Sequence, residues 1–348
     1  MTLREYFQAA IEKKASDLHL VAGAEPALRI EGKLDAIAGE EKLDNDALIA
    51  ELQDIIEPSM WHLFTENKEL DFSHEFFGKR FRINLHYQRG MIALTARLVS
   101  NLSPDPAQIG FTDIMHNITK MRDGLILLTG PSGCGKSTTL AAMINIINQS
   151  RDGHIITIED PIEYMFENKK CLIEQREIGT DTLSFADALK YSLRQDPNVI
   201  MVGEMRDLET MSAALTAAET GHLVLSTLHT ASAADSILRI VDSFPPHQQT
   251  QVLNQLAGCL RAIVTQQLLP RIGGGLVAAR EVLINTAAVA NLIRRNQVSQ
   301  IMTIIQTSAK DGMVSMNKAI EQLQAQGIIS SDTATNRSRN LETQAAYY

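Results

Sequence analysis

Gly130-Pro131-Ser132-Gly133-Cys134-Gly135-Lys136-Ser137 is a complete G-x-x-x-x-G-K-[ST] run, and these residue types suit one task, the cradling of a nucleoside triphosphate. Glycines let consecutive backbone N–H groups wrap around phosphate oxygens, and the start of a following helix adds partial positive charge. Lys136 then reaches the β- and γ-phosphates and the Ser137 hydroxyl ligates Mg2+, with Ser132, Gly133, Cys134, Gly135 and Thr138 completing the phosphate-binding set. A chance glycine-rich turn would lack the flanking context found here. Leu125–Thr129 is an apolar strand leading in, and Leu140, Met143, Ile144 and Ile147 form one face of a helix leading out.

Three further strand ends carry polar groups, where an open α/β sheet holds its ligand. Glu159-Asp160-Pro161-Ile162-Glu163 follows the strand Ile155–Ile158, and its carboxylates can hold metal-bound water or orient the attacking one; a solvated acidic turn has the same spacing. Gly203-Glu204-Met205-Arg206-Asp207 follows Val199–Val202, the second half of a P-loop NTPase site, with Glu204 where an Asp more often stands. Asp207 also reads as the N-cap of the helix carrying Leu208, Met211, Leu215 and Ala218. Thr227-Leu228-His229-Thr230 follows Leu223–Ser226 and offers an imidazole to a γ-phosphate, although a lone histidine, like His222 nearby, is commonly structural.

The elements that must position these groups follow from periodicity. Leu3, Phe7, Ala10 and Ile11 recur at helical spacing; Leu18–Leu20 and Leu28–Ile30 alternate as strands; Asp46–Ile56 reads as a helix ending at Pro58. In Arg80–Tyr87 the residues Phe81, Ile83, Leu85 and Tyr87 share one face and Arg80 and Arg82 the other, and Arg97 opposes Ile92, Leu94, Ala96 and Leu98 in the next strand. Such a charged face is ordinarily just solvated, but NTPases working as rings borrow arginine from a neighbouring domain or subunit. Residues 101–110, with Pro104 and Pro106, read as a linker between a first domain at 1–100 and a second at 111–348. Beyond it strands alternate with helices, the grammar of a parallel α/β sheet; Val252, Leu256, Leu260 and Ile263 are expected on one helix face and Val277–Leu283 as a strand. The polar stretch after Ile328 is expected to be a loosely held helix or tail.

Composition removes several classes. Of 348 residues 45% are apolar and 21% charged, so wholesale disorder is excluded. Lys plus Arg number 32 against 41 Asp plus Glu, a net charge of −9 that argues against nucleic acid as a partner and disfavours a helicase. Cys134, Cys171 and Cys259 contain no C-x-x-C and fit neither a disulfide framework nor a four-cysteine zinc site. The charged N-terminus is no signal peptide, and the best uncharged run, Val282–Ile293, is too short and polar to span a membrane. A cytoplasmic protein, at most peripheral to a membrane, is expected.

From Ala15-Ser16-Asp17-Leu18-His19-Leu20 to about Leu323 the chain resembles the secretion and type IV pilus ATPases, most closely their retraction branch. Ile156–Tyr164 looks like the family's Asp box, Val202–Thr210 like its atypical Walker B and Gly221–Thr230 like its His box. The resemblance implies an α/β chain, with a smaller PAS-like N-terminal domain joined to a RecA-like P-loop domain. It further implies a homohexamer at the cytoplasmic face of the inner membrane, with nucleotide lying between N- and C-terminal domains. Such a ring would hydrolyse ATP with Mg2+ and act on a membrane platform protein to retract a pilus and drive twitching motility. It carries over Lys136 and Ser137 to phosphate and Mg2+, Glu204 to the metal, Glu163 to the base for water, His229 to the γ-phosphate, and Arg82 and Arg97 to the phosphates. Assembly and type II secretion ATPases share this core but typically add an N-terminal domain and a four-cysteine zinc site, which fits this chain poorly. A nucleotide-binding ring with little turnover is the remaining alternative, motivated by Ala288–Arg295, where Ala290 replaces an Arg and Arg295 a Glu of the retraction motif AIRNLIRE.

Overall fold

The computed structural model describes residues 1–99 and 104–338. The chain forms two compact units, Met1–Leu102 with Pro161–Met165, and Ser103–Asp160 with Phe166–Tyr348. Pro161–Met165, which includes Glu163, thus groups with the first unit although its sequence position lies within the second.

In the first unit α1 (Leu3–Glu12) precedes three strands, β1 (Asp17–Val21), β2 (Ala27–Ile30) and β3 (Lys33–Ala36). Two helices follow, α2 (Asn45–Gln53) and α3 (Pro58–Asn67), and then β4 (Glu69–Phe76), β5 (Lys79–Gln88) and β6 (Met91–Leu98). The six strands pair antiparallel in the order β3-β2-β1-β6-β5-β4. One face is apolar. Leu18, Leu20, Ile83, Leu85, Leu94 and Ala96 bury there with Phe7 of α1, whose ring stacks on Phe76 at 3.8 Å. A capping box closes the start of α1, with Thr2 accepting from the Glu5 N–H and Glu5 from the Thr2 N–H. Pro58 does not simply stop a helix, as expected from the sequence: it sits in the first turn of α3, where its missing N–H costs nothing.

The second unit begins with α4 (Asp113–Thr119), β7 (Gly124–Thr129), α5 (Lys136–Ser150), β8 (Gly153–Glu159), β9 (Cys171–Glu177) and α6 (Phe185–Ser192). It continues with β10 (Val199–Val202), α7 (Leu208–Glu219), β11 (Leu223–Leu228), α8 (Ala233–Asp242), α9 (Pro246–Cys259), β12 (Leu260–Pro270) and β13 (Leu276–Ile284). Helices α10 (Ala287–Arg294), α11 (Ile301–Thr307), α12 (Met316–Ala325) and α13 (Ser331–Arg337) follow. Its sheet runs β13-β12-β7-β11-β10-β8-β9, parallel except for β13. Every residue of β7, β10 and β11 is buried, as expected of strands covered on both faces. Leu125, Leu127, Ile156, Ile158 and Val224 pack into one core layer, and Ile126, Leu128, Ile155 and Leu225 into the other.

One expectation fails here. Leu260 and Ile263 do not continue the helix face of Val252 and Leu256; α9 ends at Cys259 and Leu260–Pro270 is a strand. The apolar spacing satisfied both periods, and the vacant edge beside β7 decides: Ala262–Thr265 pair with Ile126–Thr129, placing β-branched Ile263, Val264 and Thr265 inside a sheet. The sequence after Ile328 forms α13, whose Ala334 packs into a small cluster with Met316 and Ile320, and residues past Ser338 lie outside the described part.

Candidate nucleotide site

The loop between β7 and α5 gets its shape from backbone conformations that favour glycine. Gly130, Gly133 and Gly135 have φ of 140°, 75° and 84°. A Cβ on Gly130 would meet the Gln266 carbonyl oxygen at 2.3 Å, so the loop also presses against β12. Gly135 is the N-cap of α5, so no capping side chain covers the helix start. Lys136 is 8% exposed, and its Nζ donates to the carbonyls of Gly130 at 2.8 Å and Pro131 at 3.0 Å. The ammonium therefore braces the loop from within. Ser137 and Thr138 follow in the first turn of α5, half-buried. Cys134 is buried, and burial pushes its thiol up against the opposing pull of Lys136, so it stays protonated and packs as a small apolar group.

Neighbouring strand ends bring three of the expected groups together. After β10 the Glu204 carboxylate, largely buried, accepts from Arg206 Nε at 2.6 Å and faces His229 Nε2 at 3.6 Å. His229, beyond β11, has its Nδ1 3.3 Å from the Ser132 hydroxyl of the loop. Ser132, His229 and Glu204 thus form a chain from the phosphate loop to the end of β10. The hydrogen bond to Glu204 raises the Arg206 guanidinium above its ordinary value. Asp207 is the N-cap of α7, its carboxylate accepting from the Thr210 N–H at 2.7 Å. His222 lies at the other end of that helix, with Nδ1 3.0 Å from the Ala217 carbonyl. A cavity of about 290 Å³ opens beside the loop, lined by Pro131, His229, Thr230, Thr265, Gln266 and Met316.

The acidic turn after β8 divides. Glu159 is buried and accepts from Thr157 Oγ1 of its own strand at 2.7 Å and from Gln175 Nε2 at 3.2 Å, the second of which links β8 to β9; Asp160 is exposed. Glu163, Arg82 and Arg97 belong to the first unit. There the cross-strand register lines up Arg29, Asp17, Arg97 and Arg82 on the sheet face opposite the core. Asp17, 5% exposed, accepts from Arg97 Nε at 2.8 Å and lies 3.7 Å from Arg29 Nε. Burial pushes the Asp17 carboxyl up, but hydrogen bonds from Arg97 and Ser16 outweigh it and hold the group below its ordinary value.

Sequence reasoning passed over Asp17, Arg206, Gln266 and Arg280. Arg280 did leave a signal, a single cation inside the apolar run Val277–Leu283; Gln266 left none, because the helical spacing of Leu260 and Ile263 masks the start of its strand.

Residues 99–341 match the family of type II/IV secretion system proteins. The type IV pilus retraction ATPase PilT of Pseudomonas aeruginosa is 42% identical over 340 residues, covering 97% of this chain and 98% of that protein. A twitching motility protein of Neisseria gonorrhoeae is 46% identical over 283 residues, 81% of this chain and 76% of its own length. The crystal structure of the pilus retraction motor PilT with bound ADP superposes with a TM-score of 0.91 at 45% identity, over 99% of this chain and 98% of the other.

Proposed function

The chain belongs to the type II/IV secretion system family, and on that premise we propose that it is an ATP-hydrolysing motor that powers retraction of a type IV pilus. The observation that carries the ATPase reading is the convergence of Ser132, His229 and Glu204 on the glycine-rich loop at the carboxyl ends of parallel strands. The retraction reading rests on likeness to PilT along nearly the whole of both chains.

The residues present fit a Mg-nucleotide. A loop whose glycine positions cannot accept a Cβ without strain turns backbone N–H groups inward, and Ser137 and Glu204 supply the hard oxygen donors that Mg2+ takes. When bound, Mg2+ neutralises charge on the phosphate oxygens. Lys136 exchanges its carbonyl partners for the β- and γ-phosphates, and Ser132 and His229 contact the γ-phosphate. Glu163 accepts the proton of the attacking water, and Arg82 and Arg97 offset the charge spreading over the transferred group. Glu204, flanked by Arg206 and His229, is oriented by both. The motor works as a homohexamer on an inner-membrane pilus platform protein, at the cytoplasmic face. Among the described residues no helix is long and apolar enough to cross a membrane.

The test is deletion of the gene in its own host, with surface filaments counted, and complementation by wild type or Glu204→Gln. Retraction predicts excess immobile pili, restored to normal by the wild-type gene alone. Bald cells would show an assembly motor instead. Purified protein without Mg2+-dependent ATP hydrolysis would refute the enzyme itself.

A further inference from the structure

Arg280 is a buried cation without an ion pair among the described residues. It is 8% exposed, and burial is the sole influence on its titration, with no carboxylate contributing. Burial alone pulls its guanidinium down to about 10, a cost that structure rarely sustains without a purpose. Each of its three nitrogens nevertheless donates a hydrogen bond. Nη1 donates to the Gly110 carbonyl at 2.7 Å and Nη2 to the Ile109 carbonyl at 2.8 Å, with the plane 5.6 Å over the Phe111 ring. Nε donates to Gln266 Oε1 at 2.8 Å, across the β12–β13 pair in which Gln266 and Arg280 stand opposite each other.

Gln266 continues the chain of contacts into the phosphate loop. Its Oε1 also accepts from Thr139 Oγ1 of α5 at 2.9 Å, and its Nε2 donates to the Cys134 carbonyl at 2.5 Å. Both side chains, Gln266 and Thr139, are buried. A trans peptide is planar, with its C=O and its N–H pointing in opposite directions. Holding the Cys134 carbonyl toward β12 therefore aims the Gly135 N–H the other way, into the loop. That N–H belongs to the set expected to cradle phosphate. One amide side chain thus fixes both a phosphate donor and the first turn of the helix behind it.

We propose that Gln266 and Arg280 are positioning residues of the nucleotide site, a relay that ties the orientation of the Cys134–Gly135 peptide to Ile109–Phe111, near the start of the second unit. Nucleotide on the loop steadies that segment, and the segment's position in turn sets nucleotide affinity, because coupling between two sites is reciprocal. The inference rests on the loop being the nucleotide site.

Hydrogen–deuterium exchange on the full-length protein, with and without Mg-ADP, tests the relay alongside titration with a fluorescent ADP analogue. In wild type, ADP slows exchange in peptides covering 130–139 and also in those covering 105–113. Arg280→Met keeps the first response and loses the second, and weakens ADP binding by about fivefold, the low end for coupled sites. Arg280→Lys, which restores a donor, recovers part of both. Gln266→Glu keeps an acceptor for Arg280 and Thr139 but opposes the Cys134 carbonyl with an oxygen, so ADP affinity and the KM for ATP change more than kcat. If Arg280→Met does not fold, Gln266→Glu decides alone. Wild-type ADP affinity in Gln266→Glu, or an undiminished response at 105–113 in Arg280→Met, overturns the relay. A wild-type response confined to 130–139 overturns it too, while leaving the nucleotide site standing. No response at 130–139 in wild type refutes the nucleotide site, and the relay falls with it.

Discussion

Lys136 and Arg97 are both cations proposed to meet phosphate, yet Lys136 is 8% exposed while the Arg97 side chain is 71% exposed. The first is built into a loop whose shape comes from glycine dihedrals and whose carbonyls already hold the ammonium. The second stands on an open sheet face, steadied through one nitrogen by Asp17 and leaving the rest of its guanidinium outward. A rigid cradle selects its ligand by shape, whereas a half-anchored arginine can follow a charge that moves during the reaction. The contrast yields separate consequences: changes in the cradle should abolish function with modest loss of stability, and changes in the arginine row should be dominated by local electrostatics.

The largest effect is expected at Lys136. Lys136→Ala removes the one side chain of the loop that carries a full charge to the phosphates, and turnover should fall at least about 100-fold, comparable to losing a transition-state hydrogen-bond donor. The melting temperature should shift little, since the bonds to the Gly130 and Pro131 carbonyls lie within the loop itself. A large fall in melting temperature with turnover intact would show that the lysine is structural. Gly135→Ala attacks the same cradle through the backbone. At φ 84° a side chain is strained, and its Cβ would stand 3.0 Å from Gln266 Nε2. A cost of about 1–3 kcal/mol is expected, read from chemical denaturation. A neutral outcome would mean that the loop is not held in this conformation.

How much of this was legible beforehand differs between the two regions for the same physical reason. The cradle is local: strand, glycines, lysine and helix are consecutive, so motif and period together located it. The order of the other strand ends, with Glu204 and His229, followed from short apolar runs that admit only buried strands. The arginine row is not local. Arg82 and Arg97 were visible as a polar face, but Asp17 joins them only through antiparallel register between strands far apart in sequence. Gln266 was hidden more deeply, since Leu260–Ile263 keeps helical spacing and only pairing with β7 makes it a strand.

Asp17→Asn probes the row with a smaller expected effect. The amide keeps the shape and a weaker acceptor, so the loss should be about 1–2 kcal/mol, as for a hydrogen bond to a charged group made neutral. Its pH signature is more diagnostic. Asp17 is held below the ordinary value of 3.8, so its contribution is full above that pH and disappears as pH falls through the lowered folded value. Wild type and Asp17→Asn should therefore differ at neutral pH and converge below pH 3.8. Curves that stay parallel into acid would show that the charge on Asp17 contributes nothing.

Arg82→Ala should change stability least, and in an unusual direction. Arg82 pairs directly with Arg97 across β5 and β6, and like charges opposite each other on a strand pair repel. Its side chain is exposed, so little packing is lost on truncation. Stability should remain within about 0.5 kcal/mol of wild type, on the stabilising side at low salt. Any gain should disappear near 1 M salt, where screening acts over about 3 Å. ATP turnover should nonetheless fall, because the repulsion that Asp17 offsets only from the Arg97 side is relieved further when an anion arrives between the two arginines. An Arg82→Ala protein that is less stable than wild type and hydrolyses ATP normally would make the row a structural feature of the sheet, and would erase the contrast with Lys136.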